Sequence, residues 1–313
     1  MEAMIRKNNV KAFILASLSL MSIVQAHAQQ DPQYTQYMYN PATINPAYSG
    51  SVDHLQFFGL YRTQWVGLEG APKTAYLSAV TPLTDNGVGM GIHFKNDHLG
   101  VMDENSLSID FAYTVALNYS YKLAFGLKGT GSLLDVDYNK LHIYDGTDPI
   151  SEDNIKNKFA GNVGAGAYLY SDKAYVGISV PMILSSNIYN DNDYKVMKEK
   201  AHVYLMGGYV FDLNHNIQFK PAALVKVMTG SPLQVDVTAN FLFHEKFTVG
   251  AAYRWDASIS GLAGFQVSEG LFIGYTYDAD TSKLANYHSG SHEIFMKFEL
   301  FKNNRRKVAP RFF

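Results

Sequence analysis

Hydrolytic chemistry in this sequence would have to come from its ten histidines and the serines able to pair with them. A serine hydrolase places a Ser Oγ within hydrogen-bond reach of an imidazole that a third group orients. His202 and His292 are the candidates, but nothing in the sequence pairs either with a serine, and no GxSxG elbow occurs. His288 and His292 are spaced i,i+4, which would align them on a helix, but their segment reads as loop followed by strand. There is no HExxH and no metal-spaced carboxylate cluster. The acidic, turn-rich run Asp145-Gly146-Thr147-Asp148-Pro149, with Glu152 and Asp153, reads as a solvated loop, with an outer-loop calcium site as the rival reading. Gly89-Met90-Gly91 and Gly164-Ala165-Gly166 lack the following helix that a phosphate loop needs. The chain has no cysteine, so disulfides, thiolate metal sites, a Cys nucleophile and a lipoprotein-type anchor are all excluded. No catalytic residue, metal ligand or cofactor site is expected, and a net charge of -2 gives no reason to expect a nucleic-acid partner.

The charged residues are informative in another way, because they recur at every second position. Asp236 and Asn240 alternate with Val235, Val237, Ala239 and Phe241; Asp110 alternates with Ile109 and Phe111; Arg254 alternates with Tyr253 and Trp255. Successive strand residues face opposite sides, so each segment has one apolar and one polar or small face. Strands are expected near 54–63, 73–82, 87–96, 105–117, 121–132, 159–169, 173–181, 200–211, 215–226, 233–243, 247–255, 258–267, 270–279 and 290–301. Most are as long as a tilted membrane-spanning strand. Connections alternate in length. Short polar turns lie at Thr84-Asp85-Asn86, Ser171-Asp172-Lys173, Asp212-Leu213-Asn214, His244-Glu245-Lys246 and Ser268-Glu269. The intervening connections, 64–72, 97–104, 133–158, 182–199, 227–232 and 280–289, are longer, and Asp256-Ala257 is the exception.

This pattern predicts an all-β fold, a transmembrane antiparallel β-barrel of about 14 strands with short periplasmic turns and longer extracellular loops. Aromatics at 14% and charged residues at 17% suit a wall with one greasy face. Tyr113, Tyr209, Tyr253, Trp255, Tyr275 and Tyr277 fall on the apolar face, many near strand ends, as an interfacial girdle would. A secreted β-sandwich is the competing reading; it has no reason to alternate its loop lengths.

Residues 1–28 read as a secretory leader. Arg6, Lys7 and Lys11 form the basic region, AFILASLSLMSIV the apolar core, and Ala26-His27-Ala28 the cleavage site, so the chain is expected to be cut after Ala28. The layout expected is leader 1–28, an N-terminal periplasmic or lumenal segment 29–52, barrel 53–301 and C-terminal tail 302–313, located in the outer membrane with its lipid as a contact. The tail's Lys302, Arg305, Arg306, Lys307 and Arg311 make a basic end.

With apolar faces on lipid, Gln56, Arg62, Asp110, Lys128, Lys220, Lys226, Gln234, Asp236, Asn240, Arg254, Glu293, Lys297 and Glu299 point inward. Opposite charges in a narrow lumen are expected to pair, which favours a packed interior. Gly87, Gly89, Gly91, Gly126, Gly164, Gly166, Gly250 and Gly264 share that face, and relief of crowding is the favoured reason; room for something close to the wall is the alternative.

The segment before strand one differs. Tyr34, Tyr37, Tyr39 and Tyr48 accompany two Asn-Pro steps, Asn40-Pro41 and Asn45-Pro46, which break a continuous strand or helix. An aromatic, proline-stiffened stretch of this kind is expected either to fold back into the barrel from the periplasmic side or to sit as a tail on its mouth. The same stretch, followed by Arg62, Gln64, Trp65, Gly67, Gly70, Ala71 and Pro72 and by the glycine-rich strand Gly87-Val88-Gly89-Met90-Gly91, resembles the PorP/SprF family of Bacteroidetes outer-membrane proteins. The resemblance implies a non-enzymatic component of the type IX secretion system. It implies as partners the translocon, periplasmic machine components, and a secreted cargo's C-terminal domain or a gliding adhesin. Residues proposed for partner binding or lumen packing are Tyr37, Asn40, Pro41, Asn45, Pro46, Arg62, Gln64, Trp65, Gly70 and Pro72. Loops 133–158 and 182–199 would meet surface cargo, with 29–52 and the tail toward the periplasm. A transport channel for small solutes is the alternative function.

Overall fold

The computed structural model describes residues 34–84, 87–140, 154–184 and 201–300. The leader and its cleavage site, the Asp85-Asn86 turn tip, the acidic run 145–153, most of loop 182–199 and the basic tail lie outside the described residues.

Strands β1 (Leu55–Thr63), β2 (Lys73–Pro82), β3 (Val88–Leu99), β4 (Met102–Ala116), β5 (Lys122–Val136), β6 (Ile155–Tyr170), β7 (Ala174–Val180) and β8 (His202–Tyr209) follow one another as neighbours. The wall continues through β9 (Phe211–Asn214), β10 (Ile217–Met228), β11 (Gln234–Phe243), β12 (Phe247–Arg254), β13 (Ser258–Gln266), β14 (Leu271–Asp280) and β15 (Ser291–Leu300). Every pairing is antiparallel, and β15 pairs with β1 from Leu300↔Leu55 to His292↔Thr63, so the sheet closes on itself. The short β9 pairs with β10 below β8, so β8 and β9 form one wall strand and the barrel has 14. Closure leaves no unpaired edge around the wall, which a hydrocarbon surrounding requires.

Side chains alternate as the period-two pattern predicts. Leu107, Phe111 and Leu127 are exposed on the outer face, while Asp110 between them in register is fully buried. Tyr113, Tyr209, Tyr253, Trp255, Tyr275 and Tyr277 are all exposed on that outer face.

Three boundaries differ from the sequence reading. The stretch 97–104, expected as a loop, is strand up to a Gly100-Val101 turn. Polar cross-strand pairs carry the ladder beyond the apolar band: Asn96 Nδ2 donates to Asn105 at 2.9 Å, Lys95 pairs with Glu104 at 3.3 Å, and His98 with Asp103 at 2.9 Å. The connection 133–158 likewise begins and ends as strand. Leu134 and Val136 of β5 pack with Val101, Met102, Tyr138, Ile155 and Ala160 to form a small core above the membrane band. Asp212-Leu213-Asn214, expected as a turn, is β9. Val210 interrupts the wall strand there but still donates its amide to the Lys173 carbonyl at 2.8 Å, and Asp212 is ion-paired to Lys173 and accepts from Gln218 Nε2 at 2.8 Å.

Candidate functional site: an occupied lumen

The interior of the barrel is filled by its own N-terminal segment, described from Tyr34 onward. Two short 3-10 turns shape it, Pro41–Thr43 and Pro46–Gly50. Each begins at a proline, whose fixed φ suits a first helical position and whose missing N–H needs no partner there. Asn45 caps the second turn, accepting from the Ala47 amide at 3.0 Å. Its amide nitrogen donates to the Ala167 carbonyl at 3.0 Å, so one side chain both shapes the strap and fastens it to β6. Asn40 makes no side-chain cap and instead donates to Ser78 Oγ on β2 at 3.2 Å. Tyr37, Asn40, Pro41, Asn45 and Pro46 are all buried.

The glycine face is the seat of this strap. A Cβ at Gly89 would collide with the Ser49 carbonyl, at Gly126 with the Ala47 amide, and at Gly166 with the Asn45 side chain. A Cβ at Gly91 would meet the His93 ring of the wall and the Ser49 hydroxyl. Relief of crowding, the reading favoured from sequence, holds for Gly250 and Gly264, which face Asn240 and Phe272 of the wall itself, and Gly164 faces the Pro181 carbonyl. Gly89 and Gly126 instead meet the strap backbone and Gly166 the Asn45 side chain, an interface that a bare sequence cannot separate from simple thinning.

Polar anchors hold the strap at three heights. At the outer end, Arg62 Nη1 lies 2.7 Å from Asp278 and 3.0 Å from Glu293. Glu293 also accepts from the amides of Thr35 and Gln36, at 3.3 and 3.0 Å, and Asp278 accepts from Thr35 Oγ1 at 3.0 Å. Midway, Lys128 lies 3.3 Å from Asp110 and donates to the Ala42 carbonyl at 3.4 Å, while His93 bridges Asp110 and the Tyr76 hydroxyl at 2.8 and 2.7 Å. Ser179 donates to the Ile44 carbonyl at 2.7 Å. At the inner end, Thr114 donates to the Gly50 carbonyl at 2.7 Å, and Tyr48 donates to Gln56, which donates to Glu299 at 3.0 Å. Buried charges are tolerated here because Asp110, Asp278, Glu293 and Glu299 each meet a cation or an N–H donor.

Aromatic contacts fill what remains. Tyr39 stacks on Phe272 and packs on Phe295 at centroid distances of 5.4 and 4.9 Å, and Tyr48 meets Tyr168 edge-on at 6.0 Å. Lys220 sits 5.9 Å from the Tyr39 ring and 5.8 Å from the Tyr175 ring, within cation–π range. A cleft between Tyr34, Tyr37, Tyr204, Leu224, Lys226 and Asp236 offers about 20 Å³, room for about one water.

The strap runs from the outer half of the lumen toward the inner mouth, a direction that the sequence leaves open. Arg62, Asp278 and Glu293 lie at the long-loop ends of their strands, so Thr35 and Gln36 are in the outer half of the lumen. The chain then descends to His54 at the inner mouth before β1 rises.

The sequence-selected residues separate into two groups. Arg62 joins the strap residues inside the lumen. Gln64, Trp65, Gly70 and Pro72 form the β1–β2 loop at the outer rim. There Gln64 N donates to the Pro72 carbonyl at 2.9 Å, and Gly70, at φ +71, accepts from Gly100 N at 2.9 Å. Trp65 takes a positive φ of 45 and donates its indole N–H to Asp280 at 2.8 Å. His288 lies 3.0 Å from the same carboxylate, and Val66 N donates to the Gly290 carbonyl at 2.9 Å, so this loop is clamped to the β14–β15 loop. His292, on β15, pairs with the Tyr275 hydroxyl at 2.6 Å, and the buried His202 stacks on Tyr204. Asp278, His93, Phe272 and Phe295 were not singled out from sequence. Asp278 was findable, as a carboxylate at every-second-residue spacing from Thr276 and Asp280.

Among solved structures, the chain is similar to the CymD monoaromatic hydrocarbon channel, with 11% identity and a TM-score of 0.52 over 87% of this chain and 94% of that one. It is also similar to the outer membrane protein Omp33 of Acinetobacter baumannii, with 8% identity and a TM-score of 0.48 over 79% of this chain and 98% of that one. The CymD likeness shows the shared outer-membrane barrel fold and no more. No curated protein matches the chain. The family described as type IX secretion system membrane protein PorP/SprF matches residues 26–298, nearly the whole chain. A closed outer-membrane barrel carrying the Asn-Pro strap and its glycine seat thus belongs to the PorP/SprF family of type IX secretion system membrane proteins.

Proposed function

We propose that this barrel serves the type IX machine as a docking component, holding a secreted cargo's C-terminal domain or a gliding adhesin at the translocon. Family membership supports the secretion role. The observation that carries the docking reading is the occupied lumen: the strap, its polar anchors and the aromatic packing leave little room for a diffusing solute. A barrel that is not a path is useful through its surfaces. The outer-rim loop of Gln64, Trp65, Gly70 and Pro72, clamped by Asp280 and His288, is a rigid surface suited to contact with cargo. Tyr37, Asn40, Pro41, Asn45, Pro46 and Arg62 have the role of keeping the lumen closed. No catalytic step is assigned to the protein.

A pull-down from detergent-solubilised outer membranes tests the reading: a cargo C-terminal domain or translocon component should co-purify. Planar-bilayer recording tests the competing channel reading. The intact protein should be electrically silent, and deletion of residues 34–50 should produce steady conductance. Steady conductance by the intact protein, with no secretion component co-purifying, would establish the channel instead.

A further inference from the structure

Two rungs of polar contacts sit one above the other on β14 and β15. The upper rung holds the rim loop. Asp280 accepts the Trp65 indole N–H at 2.8 Å and faces His288 at 3.0 Å, and Ser291 Oγ accepts the Trp65 amide at 3.2 Å. The lower rung holds the strap. Asp278 accepts from Thr35 Oγ1 at 3.0 Å, and Glu293 accepts from the Thr35 and Gln36 amides at 3.3 and 3.0 Å. Asp278 and Asp280 are two residues apart on one strand, and Ser291 and Glu293 are two apart on the next, so each strand carries both rungs on one face. The start of the β1–β2 connection does the same. Arg62 pairs with both lower carboxylates at 2.7 and 3.0 Å, and Trp65 follows it by three residues.

Trp65 is held away from a relaxed backbone. Its φ of 45 is in the left-handed region, where a bulky residue is strained and stays only while its contacts hold it. Those contacts are the upper rung, with Val66 N donating to the Gly290 carbonyl at 2.9 Å and Ser289 N to the Val66 carbonyl at 2.8 Å. A strained residue with a relaxed alternative is a two-state element that two sites can bias. Its relaxation turns the chain just beyond Arg62, the cation that keeps Asp278 and Glu293 together and in place for the strap.

We propose that the rim clamp and the strap's outer anchor are one latch: displacing Trp65 from Asp280 frees Thr35 and Gln36 while the middle of the strap stays seated. The middle has its own fastenings, Asn40 to Ser78, Lys128 to the Ala42 carbonyl and Asn45 to β6. On the docking reading, cargo seated on the rim loop works this latch, and its arrival is passed into the lumen. The coupling itself does not depend on what docks.

The chain has no cysteine, so every thiol signal comes from an introduced residue. Gln36→Cys is the reporter. Gln36 is buried, and its side-chain amide has no hydrogen-bond partner among the described residues, so the replacement removes no bond. Purified, heat-modifiable barrels in detergent are treated with a maleimide. In the otherwise unchanged chain Gln36→Cys should react slowly. With Trp65→Phe or Asp280→Ala added it should react at least about twofold faster, the low end of coupling between linked sites. Glu69→Ala, an exposed position in the same loop, should leave the rate unchanged. No acceleration by either clamp variant overturns the proposal. Equal acceleration of Ser78→Cys, buried beside Asn40, also overturns it, because the effect would then be a general loosening. Reciprocity supplies a second measurement that leaves the clamp residues intact. Trp255→Phe makes Trp65 the only indole of the chain, and Thr35→Val removes the hydroxyl that donates to Asp278. Acrylamide should then quench Trp65 fluorescence more readily. Unchanged quenching overturns the proposal, even where the clamp variants fail to assemble. Cargo is absent from both measurements, so failure here leaves the docking reading standing.

Discussion

Glu293 joins the wall to the strap. It is fully buried, faces Arg62, and accepts from two consecutive strap amides. Removing Glu293 leaves Arg62 paired with Asp278 but takes the acceptor from the Thr35 and Gln36 amides, at a cost of about 1–3 kcal/mol for a buried donor left unmade. Glu293→Ala is therefore expected to lower the unfolding midpoint in urea and free the strap's first residues. Arg62→Met should cost more, about 3–5 kcal/mol, because it leaves Asp278 and Glu293 buried side by side without their cation. Asn45→Ala removes both a turn cap and a bond to β6, and about 1–2 kcal/mol of destabilisation is expected from the cap alone. Trp65→Phe keeps the ring and removes the indole bond to Asp280. It should leave the barrel's unfolding midpoint nearly unchanged while raising proteolysis of the β1–β2 loop, measured by limited digestion of the folded protein.

At the level of elements, what was legible in the sequence is what lipid enforces. Period two from β1 to β15 followed from apolar residues at one parity and Arg62, Asp110, Asp236 or Glu293 at the other. The signal fades where lipid ends: Asn96, Asp97 and His98 are polar on both faces, so an extended hairpin looked like a loop. It also fades where the lumen is filled. Phe58, Tyr76, Tyr168, Phe272 and Phe295 lie on the inward face and are buried against the strap or one another. Alternation alone gives such residues no partner. The Asn-Pro steps announced a stiff, irregular segment, but neither its path nor its direction, because both depend on anchors contributed by strands more than 240 residues later, as in the Thr35–Asp278 and Gln36–Glu293 pairs. The glycine stripe offers a test of the interface. Gly126→Val sets a branched side chain where the Ala47 backbone lies. It should displace the strap without preventing strand pairing, seen as new conductance in a planar bilayer from a barrel that still shows heat-modifiable mobility.

For the molecule as a whole, the strap connects the beginning of the described chain to its end. Its outer anchors are on β14 and β15, its Tyr39 ring packs on Phe272 and Phe295 of those strands, and β15 is also the strand that closes against β1. Contacts of such sequence separation form late and slowly. A polypeptide cut short before residue 270 would carry the whole strap and thirteen of the fifteen strand segments, yet Thr35 and Gln36 would have no carboxylate to grip and Tyr39 no rings to rest on. A sealed interior is thus a certificate of completeness: only a barrel synthesised to its last strand can shut its own bore, and a truncated one is left open to whatever proteases patrol the periplasm.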